Sequence, residues 1–399
     1  MPDSTTPARD QLPLSGLRVV ALEQAVAGPF CSRQLADLGA DVVKVERPDG
    51  GDFARGYDDA LGGLSAYFAW LNRGKQSVVL DLKQVADRAA LVTLVERADI
   101  FVHNLAPGAV DRLGLGYDEL AQRHDRLIWC GISGYGPDGP YRDKKAYDLL
   151  LQAEAGVIGV TGAVDAPAKV GVSLADIGAG HYAYSSILVA LLNRARTGRG
   201  ERIDISMLEC LTESMMPMLY SWLGTGAIPG RAGLRHNLIV PYGVYACVDG
   251  AVNLAIQNDR EWHRFCAVLL DQPELAADPR FATNAVRVRH RQALEELIER
   301  RFADMRAEAL VALLDRAGIA NGRVNDVPAV VAHPQLAARA RWVDVESPVG
   351  PIPALLPPHN LQGAPAAMGR VPALGEHTRV VLAALGIGLP PNDGALGEG

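Results

Sequence analysis

The side chain with the most chemical promise is Asp176. The run Val170 to Ala175 carries almost no polarity, and Asp176 then opens the glycine-rich start of a long apolar stretch with helical spacing. Two readings fit. Asp is among the best N-cap residues, accepting a hydrogen bond from the N2 or N3 amide, and most Asp so placed do nothing more. The same geometry keeps the carboxylate ionised at the positive end of a helix, which suits a nucleophile. Spacing alone favours the cap. Asp148 and Gln152, four apart, share one face of a helix spanning 147–155, where a solvated charged face is the plainer account. The loop Ser133-Gly134-Tyr135-Gly136-Pro137-Asp138-Gly139-Pro140 needs unusual backbone angles and could present amides to an oxyanion, or merely connect. Arg235-His236, near Pro241-Tyr242, sets a planar bidentate donor beside a second donor. That pairing suits a carboxylate ligand, and a structural ion pair equally.

Other chemistries lack their signatures. There is no Gly-x-Ser-x-Gly elbow, no HExxH and no Walker loop. The nine histidines show no metal-ligand spacing, and Cys31 reads as a small buried hydrophobe. A first strand, a turn and a helix opening at Gly28-Pro29 invite a dinucleotide-binding reading, with Glu46 as the ribose acid. However, the segment Leu22 to Pro29 has one glycine where three are wanted.

The elements that must position these residues alternate. Apolar runs at Leu17–Leu22, Asp41–Val45, Ser77–Leu82, Ile100–His103, Leu127–Gly131 and Arg202–Ile205 read as strands, separated by helical patterns at Gly28–Leu38, Gln84–Arg97 and Tyr117–Arg123. Such alternation predicts a parallel sheet covered on both faces, an α/β class that binds ligands at the carboxyl ends of its strands. Ile177 to Arg196 predicts a long buried helix that stops at Thr197-Gly198-Arg199-Gly200, and Met207–Leu223 a further one. Beyond a linker at 224–233 the texture changes. A hairpin around Asp249-Gly250 and helices at Asp259–Leu270, Val286–Phe302 and Arg306–Ala317 predict a small α+β domain. The stretch Trp342 to Ile352 and a helix at Leu374–Leu385 are expected to have no sheet of their own and to return to the first domain. The expected division is 1–224 for the large domain, 225–330 for the small one and 331–399 for the returning segment.

Composition sets limits. At 399 residues, 49% hydrophobic and 21% charged, the chain is long enough for two or three domains and too apolar for disorder. A net charge of −7 argues against a nucleic acid partner, which would need a basic stripe. Five scattered cysteines without a CxxC pair fit neither a disulfide framework nor a zinc knuckle. With a polar start over Met1 to Leu12 and no apolar run long enough to span a bilayer, a cytoplasmic chain without membrane partner is expected.

Several segments, taken in order, resemble the family III CoA-transferases, the group of formyl-CoA transferase, the carnitine CoA-transferase and alpha-methylacyl-CoA racemase. They are Leu14 to Val20, Ala27-Gly28-Pro29, Leu35 to Pro48, Leu71 to Lys75, Leu113 to Gly116, Gly134-Tyr135-Gly136 and Gly375 to Thr378. The resemblance implies a Rossmann-like large domain built from both ends of the chain, a smaller α+β domain, and an interlocked homodimer. It implies coenzyme A as substrate and product, with no permanently bound cofactor and no metal. It also reverses the odds on Asp176, since the family's nucleophilic aspartate precedes the glycine-rich opening of this helix. By the same resemblance Asp148 and Gln24 assist catalysis, and CoA lies along Gln24, Ala25, Arg47, Asn72, Lys75 and Asn104.

Three departures qualify that picture. Ala106 stands where relatives often have an Arg before the Pro-Gly pair, so one phosphate contact is in question. The glycine-run loop of formyl-CoA transferase is absent, with Arg235 to Tyr242 in roughly its place. Tyr147 occupies the position where racemases carry a His. A phenol ordinarily titrating near 10 is a poor α-proton base at neutral pH, so racemase-like chemistry is an alternative only, as is a non-catalytic CoA-binding protein. The expected function is CoA transfer from an acyl-CoA, succinyl-CoA being a candidate donor, to a carboxylic acid. Arg235 and His236 point to a small dicarboxylate such as itaconate, malate, mesaconate or citramalate, and Tyr147 is expected to contact the substrate beside them.

Overall fold

The computed structural model describes residues 11–387 and divides into two compact units. The first takes in the chain up to Ala155, then Gly171–Ser214, and the chain again from Ala337. The second comprises Gly156–Val170 and Met215–Leu336.

The first unit is built on six strands: β1 (Arg18–Leu22), β2 (Asp41–Glu46), β3 (Lys75–Val79), β4 (Ile100–His103), β5 (Ile128–Ser133) and β6 (Glu201–Ser206). Their order is β3-β2-β1-β4-β5-β6, with every pairing parallel. The central strands read as unbroken apolar runs because both faces are covered. Val19, Val20, Val42, Ile100, Phe101 and Val102 are all fully buried. From β1 the chain runs to β2 on one side, and β4 lies on the other. The order therefore reverses at β1 and β4, and a crevice opens beyond their carboxyl ends. Gln24 and Asn104 lie at that point.

Two helices frame it. The first helix, Ala27–Asp37, follows β1 directly; the long helix, Leu174–Thr197, packs along it. Gly180 makes that contact possible. A Cβ there would come within 2.8 Å of the Ala27 carbonyl oxygen and 2.9 Å of Phe30 Cδ1.

Some expectations need correction. The third strand ends at Val79, not Leu82, which frees Leu80 to Lys83 to form a loop beyond the sheet. The stretch after Trp342 does have a sheet of its own, since Trp342–Val345 and Ile352–Leu355 pair antiparallel. The helix expected over Met207–Leu223 breaks at Met215, ahead of Pro217, into Met207–Ser214 and Met216–Thr225. The returning segment seals the β3 edge. The Ser77 amide donates to His377 Nδ1 at 3.2 Å, the Val79 amide to Thr378 Oγ1 at 3.0 Å, and the Gly375 amide to Ser77 Oγ at 2.9 Å.

The second unit has a three-stranded antiparallel sheet, Tyr242–Cys247, Gly250–Ala255 and Ala320–Arg323, beside a core that includes Trp262, Phe265, Phe281 and Phe302. The hairpin of its first two strands follows the turn signal at Asp249-Gly250. Its third strand, Ala-Asn-Gly-Arg, carries no apolar alternation that would betray it. Among the described residues, no helix is long and apolar enough to cross a membrane.

Candidate active site

Asp176 lies in the first turn of the long helix, at its third residue, with Ser173 at the N-cap position and making no side-chain cap bond. The capping reading of Asp176 therefore fails. Another carboxylate supplies the cap. Asp148 Oδ1 accepts from the Ala175 amide at 2.7 Å and from the Asp176 amide at 3.3 Å, while its Oδ2 accepts from Gln152 Nε2 at 2.7 Å. Asp148 and Gln152 share a helical face, as their spacing requires, but Gln152 is fully buried and the pair faces the helix end, not solvent.

With its amide on Asp148, Asp176 keeps its carboxylate free for chemistry. Burial, and then the nearby charge of Asp148, push the Asp176 carboxyl up to about 7, opposed by a hydrogen bond from the Ala27 backbone. The nucleophile candidate thus sits where the long helix meets the start of the first helix, poised between its two protonation states at neutral pH.

The turn that brings Ala27 there, Glu23 to Val26, is locked from several sides. The Gln24 amide donates to Asn104 Oδ1 at 2.9 Å, and Asn104 Nδ2 returns a bond to the Gln24 carbonyl at 2.7 Å. Ala25 takes a left-handed φ of 62°, a conformation uncommon for a residue with a Cβ, and its amide donates to Asp52 Oδ1 at 2.8 Å. Gln24 Oε1 is buried without a partner among the described residues. The structure thus brings Gln24, Ala25 and Asn104 together at the switch point.

Beneath the turn lies a buried charge network that sequence reasoning missed. Glu23 accepts from Lys75 Nζ at 2.7 Å and from Ser32 Oγ at 2.8 Å, and Lys44 Nζ stands 2.7 Å from Asp52 and 3.5 Å from Glu23. Burial alone would raise the Glu23 carboxyl, but Lys75 and Lys44 outweigh it and hold it below the ordinary range. This corrects two expectations. Lys75 is buried among Glu23, the Pro29 carbonyl and Asn72 Oδ1, and Asn72 is fully buried, its Nδ2 on the Phe68 carbonyl. Both side chains hold the turn from inside, and neither lines the cleft beside Arg47. Glu46 is likewise engaged. Burial would raise it, but Arg55 at 2.8 Å on both oxygens, with Lys44, brings it down to about 2, and Ser77 donates to it as well.

Arg47 is exposed. Its Nε donates to the Gly51 carbonyl at 2.8 Å and its guanidinium lies 4.3 Å from the Phe53 ring centroid. It lines a cleft of about 300 Å³ at the carboxyl ends of β1, β2 and β3, with Gln24, Leu80, Leu82, Lys83 and Leu105 among the other walls. The Leu80 to Lys83 wall was not anticipated, because it was read as strand. Tyr57 is a further unforeseen neighbour. Burial, followed by the charges of Asp52 and Asp176 and by Tyr147, raises its phenol. Tyr147 itself is exposed and precedes the Asp148 helix in extended conformation.

Arg235 and His236 belong to the second unit. Arg235 pairs with Glu299 at 2.7 Å and Glu295 at 3.7 Å and stacks on Tyr245, with its guanidinium carbon 3.6 Å from the ring centroid. The ion-pair arrangement is present, while Arg235 Nη1 is buried and has no hydrogen-bond partner among the described residues. His236 stacks on Tyr242 at 5.0 Å, and its Nδ1 accepts from the Leu238 amide.

Comparison with known proteins places this geometry. The model of CoA-transferase family III matches residues 14–378. An acetyl-CoA:oxalate CoA-transferase of Acetobacter aceti is 38% identical, over 90% of this chain and 94% of its own length. A succinate–glutarate CoA-transferase of Agrobacterium fabrum is 36% identical, over 94% and 96%. Among solved structures, a CAIB/BAIF family protein from Brucella suis superposes with a TM-score of 0.81 at 37% identity, covering 94% of this chain and all of that one.

Proposed function

The chain belongs to CoA-transferase family III, and on that premise we propose that it moves CoA from an acyl-CoA to a small dicarboxylic acid through the carboxylate of Asp176. The observation that carries the reading is Asp176 itself, a carboxylate at the junction of two helices, raised to about 7 and free of side-chain partners that would neutralise it.

In the proposed sequence an Asp176 oxygen attacks the thioester carbonyl, the C–S bond breaks, and CoA leaves as thiolate with a mixed anhydride formed. The thiolate attacks the aspartyl carbonyl of that anhydride, releasing the donor acid as carboxylate and leaving an aspartyl-CoA thioester. The acceptor carboxylate attacks the aspartyl carbonyl, expelling thiolate. The thiolate then takes the acceptor's acyl carbon and restores Asp176. Each step exchanges one activated acyl bond for another, so no activation is lost to water. Asp148 holds the helix end that aims Asp176, and Gln24, with its side-chain oxygen buried and unpartnered among the described residues, belongs to the turn before the first helix. The adenine end of CoA is assigned to the cleft walled by Arg47, Leu82 and Lys83, with Ala25 and Asn104 holding the turn beside it.

A dicarboxylate acceptor is supported by the names of the two relatives, which act on oxalate and glutarate. Itaconate, malate, mesaconate and citramalate remain the first acceptors to try, with succinyl-CoA as donor. Two copies of the chain are proposed to form the working unit. The test is Asp176→Ala. Exchange of labelled acceptor into the CoA ester should stop, and the wild-type chain incubated with donor alone should yield an Asp176-linked CoA adduct by mass spectrometry. Near wild-type exchange in the variant would overturn the assignment.

A further inference from the structure

Among the described residues other than glycine, Ala25 shares a left-handed backbone with Asp271 and Ala340 alone. A residue with a Cβ stays in that conformation where its surroundings over-determine it. At Ala25 they do so from two directions. The Asn104 side chain holds the amide and the carbonyl of Gln24 on one side, and on the other the Ala25 amide donates to Asp52 Oδ1 at 2.8 Å.

Asp52 is placed for more than that one bond. It is buried, and its own amide donates to Glu46 Oε2 at 3.0 Å. Lys44 Nζ takes Oδ2 at 2.7 Å, which leaves Oδ1 to accept a second amide, that of Ala54, at 2.9 Å. One oxygen thus ties the turn before the first helix to the turn Phe53–Gly56. Amide bonds to a carboxylate are shorter and stronger than those to a neutral carbonyl.

Both turns lead to Asp176. Ala25 and Ile177, the neighbour of Asp176, pack on the same cluster of Val26, Phe30 and Leu71. Two residues past Ala25, the Ala27 amide donates to the Asp176 carboxylate. The second turn runs into Tyr57, whose phenol neighbours Asp176, and Asp148 faces it across the helix end.

We propose that Asp52 is a positioning residue for Asp176: by holding the Ala25 amide it fixes the left-handed turn that brings the Ala27 amide to the Asp176 carboxylate. Its action passes through the backbone of residues 25–27. The inference rests on the CoA-transfer reading for the role of Asp176, but its primary readout is the carboxyl itself.

The full chain, labelled with 13C-aspartate, is titrated while the side-chain carboxyl carbons are followed by NMR, Asp176 being assigned through Asp176→Asn. The sign of the change is diagnostic. Removing the Asp52 carboxylate takes away a negative charge and leaves Lys44 less neutralised, and both effects favour ionised Asp176 and lower its midpoint. Unfolding lowers it as well, toward the ordinary value of about 4. Loss of the Ala27 amide raises it. In Asp52→Ala the midpoint should rise by roughly one pH unit, the worth of one amide on a carboxylate, and exchange at about pH 7 should fall about fivefold and recover toward about pH 9. Adding Ala25→Gly to Asp52→Ala should reverse at least half of the rise, because glycine keeps a positive φ without help. Ala25→Val strains the same turn with Asp52 in place and should also raise the midpoint, which decides the matter if Asp52→Ala does not fold. A midpoint unmoved or lowered in folded Asp52→Ala, a rise that glycine does not reverse, or an unmoved midpoint in Ala25→Val overturns the proposal. Exchange that survived in Asp176→Asn would instead overturn the transfer reading and leave the titration result standing.

Discussion

The chemistry of single residues turns on Asp176 and Asp148. A carboxyl raised to about 7 is uncharged below that pH, and only its ionised form is a nucleophile. The rate constant for acyl-CoA at limiting substrate should therefore fall on the acid side of about pH 7. Asp148→Asn keeps an oxygen for the Ala175 and Asp176 amides but removes the like charge, so the acid limb should move to lower pH in initial-rate profiles. A limb that stayed in place would show that Asp148 does not set it. Asp176 and Asp148 were both legible in the sequence as acids of interest. Their relation was not, because the cap on the long helix comes from a residue 27 positions upstream. Lys75 misled for a related reason. A lysine beside a loop reads as a ligand for phosphate, and only the fold shows Glu23 opposite it. Lys75→Met should leave Glu23 a buried charge with its nearest cation gone, lowering stability by roughly 3–5 kcal/mol in urea unfolding. A variant of unchanged stability that lost only CoA affinity would restore the phosphate role.

At the level of elements, the two helices at the site approach as closely as Gly180 permits. Gly180→Ala places a methyl 2.8 Å from the Ala27 carbonyl oxygen, where backbone cannot give way cheaply. The helices must part, at a cost of roughly 1–3 kcal/mol, and Ala27 leaves Asp176 as they do. The expected outcome is a drop in turnover larger than the stability loss explains, with a shifted acid limb as a second readout. Unaltered turnover would show that the close approach serves packing alone. The parallel strands and the long helix were readable because apolar runs and helical spacing are local signals. Strand ends were harder to place. Lys75 and Gln76 look too polar for a strand, yet Lys75 is neutralised from below and Gln76 bonds Asp41 on the neighbouring strand. Ending β3 three residues late, at Leu82, concealed the Leu80 to Lys83 wall of the cleft.

For the molecule as a whole, the chain segment from Ala337 onward completes the first unit, and its contact with β3 shields an edge strand whose amides would otherwise be open to a foreign strand. Thr378→Val should accelerate hydrogen exchange at the Val79 amide without affecting β4 or β5. Equal exchange in both proteins would mean that the edge is protected by something other than this bond. Family resemblance anticipated that the ends of the chain would meet. Periodicity could not, since no local pattern records a pairing across the whole sequence.

That pairing has a consequence for how the protein is made. The bonds that close β3 join residues 298 to 300 positions apart. At roughly 5–20 residues per second of synthesis, the first three strands wait about 15–60 s on the ribosome before their closing segment exists. During that interval the β3 edge lacks the bonds that close it. The nascent chain is therefore a natural client for a holding chaperone, and the protein's yield depends on how long the unclosed sheet is kept from other strands.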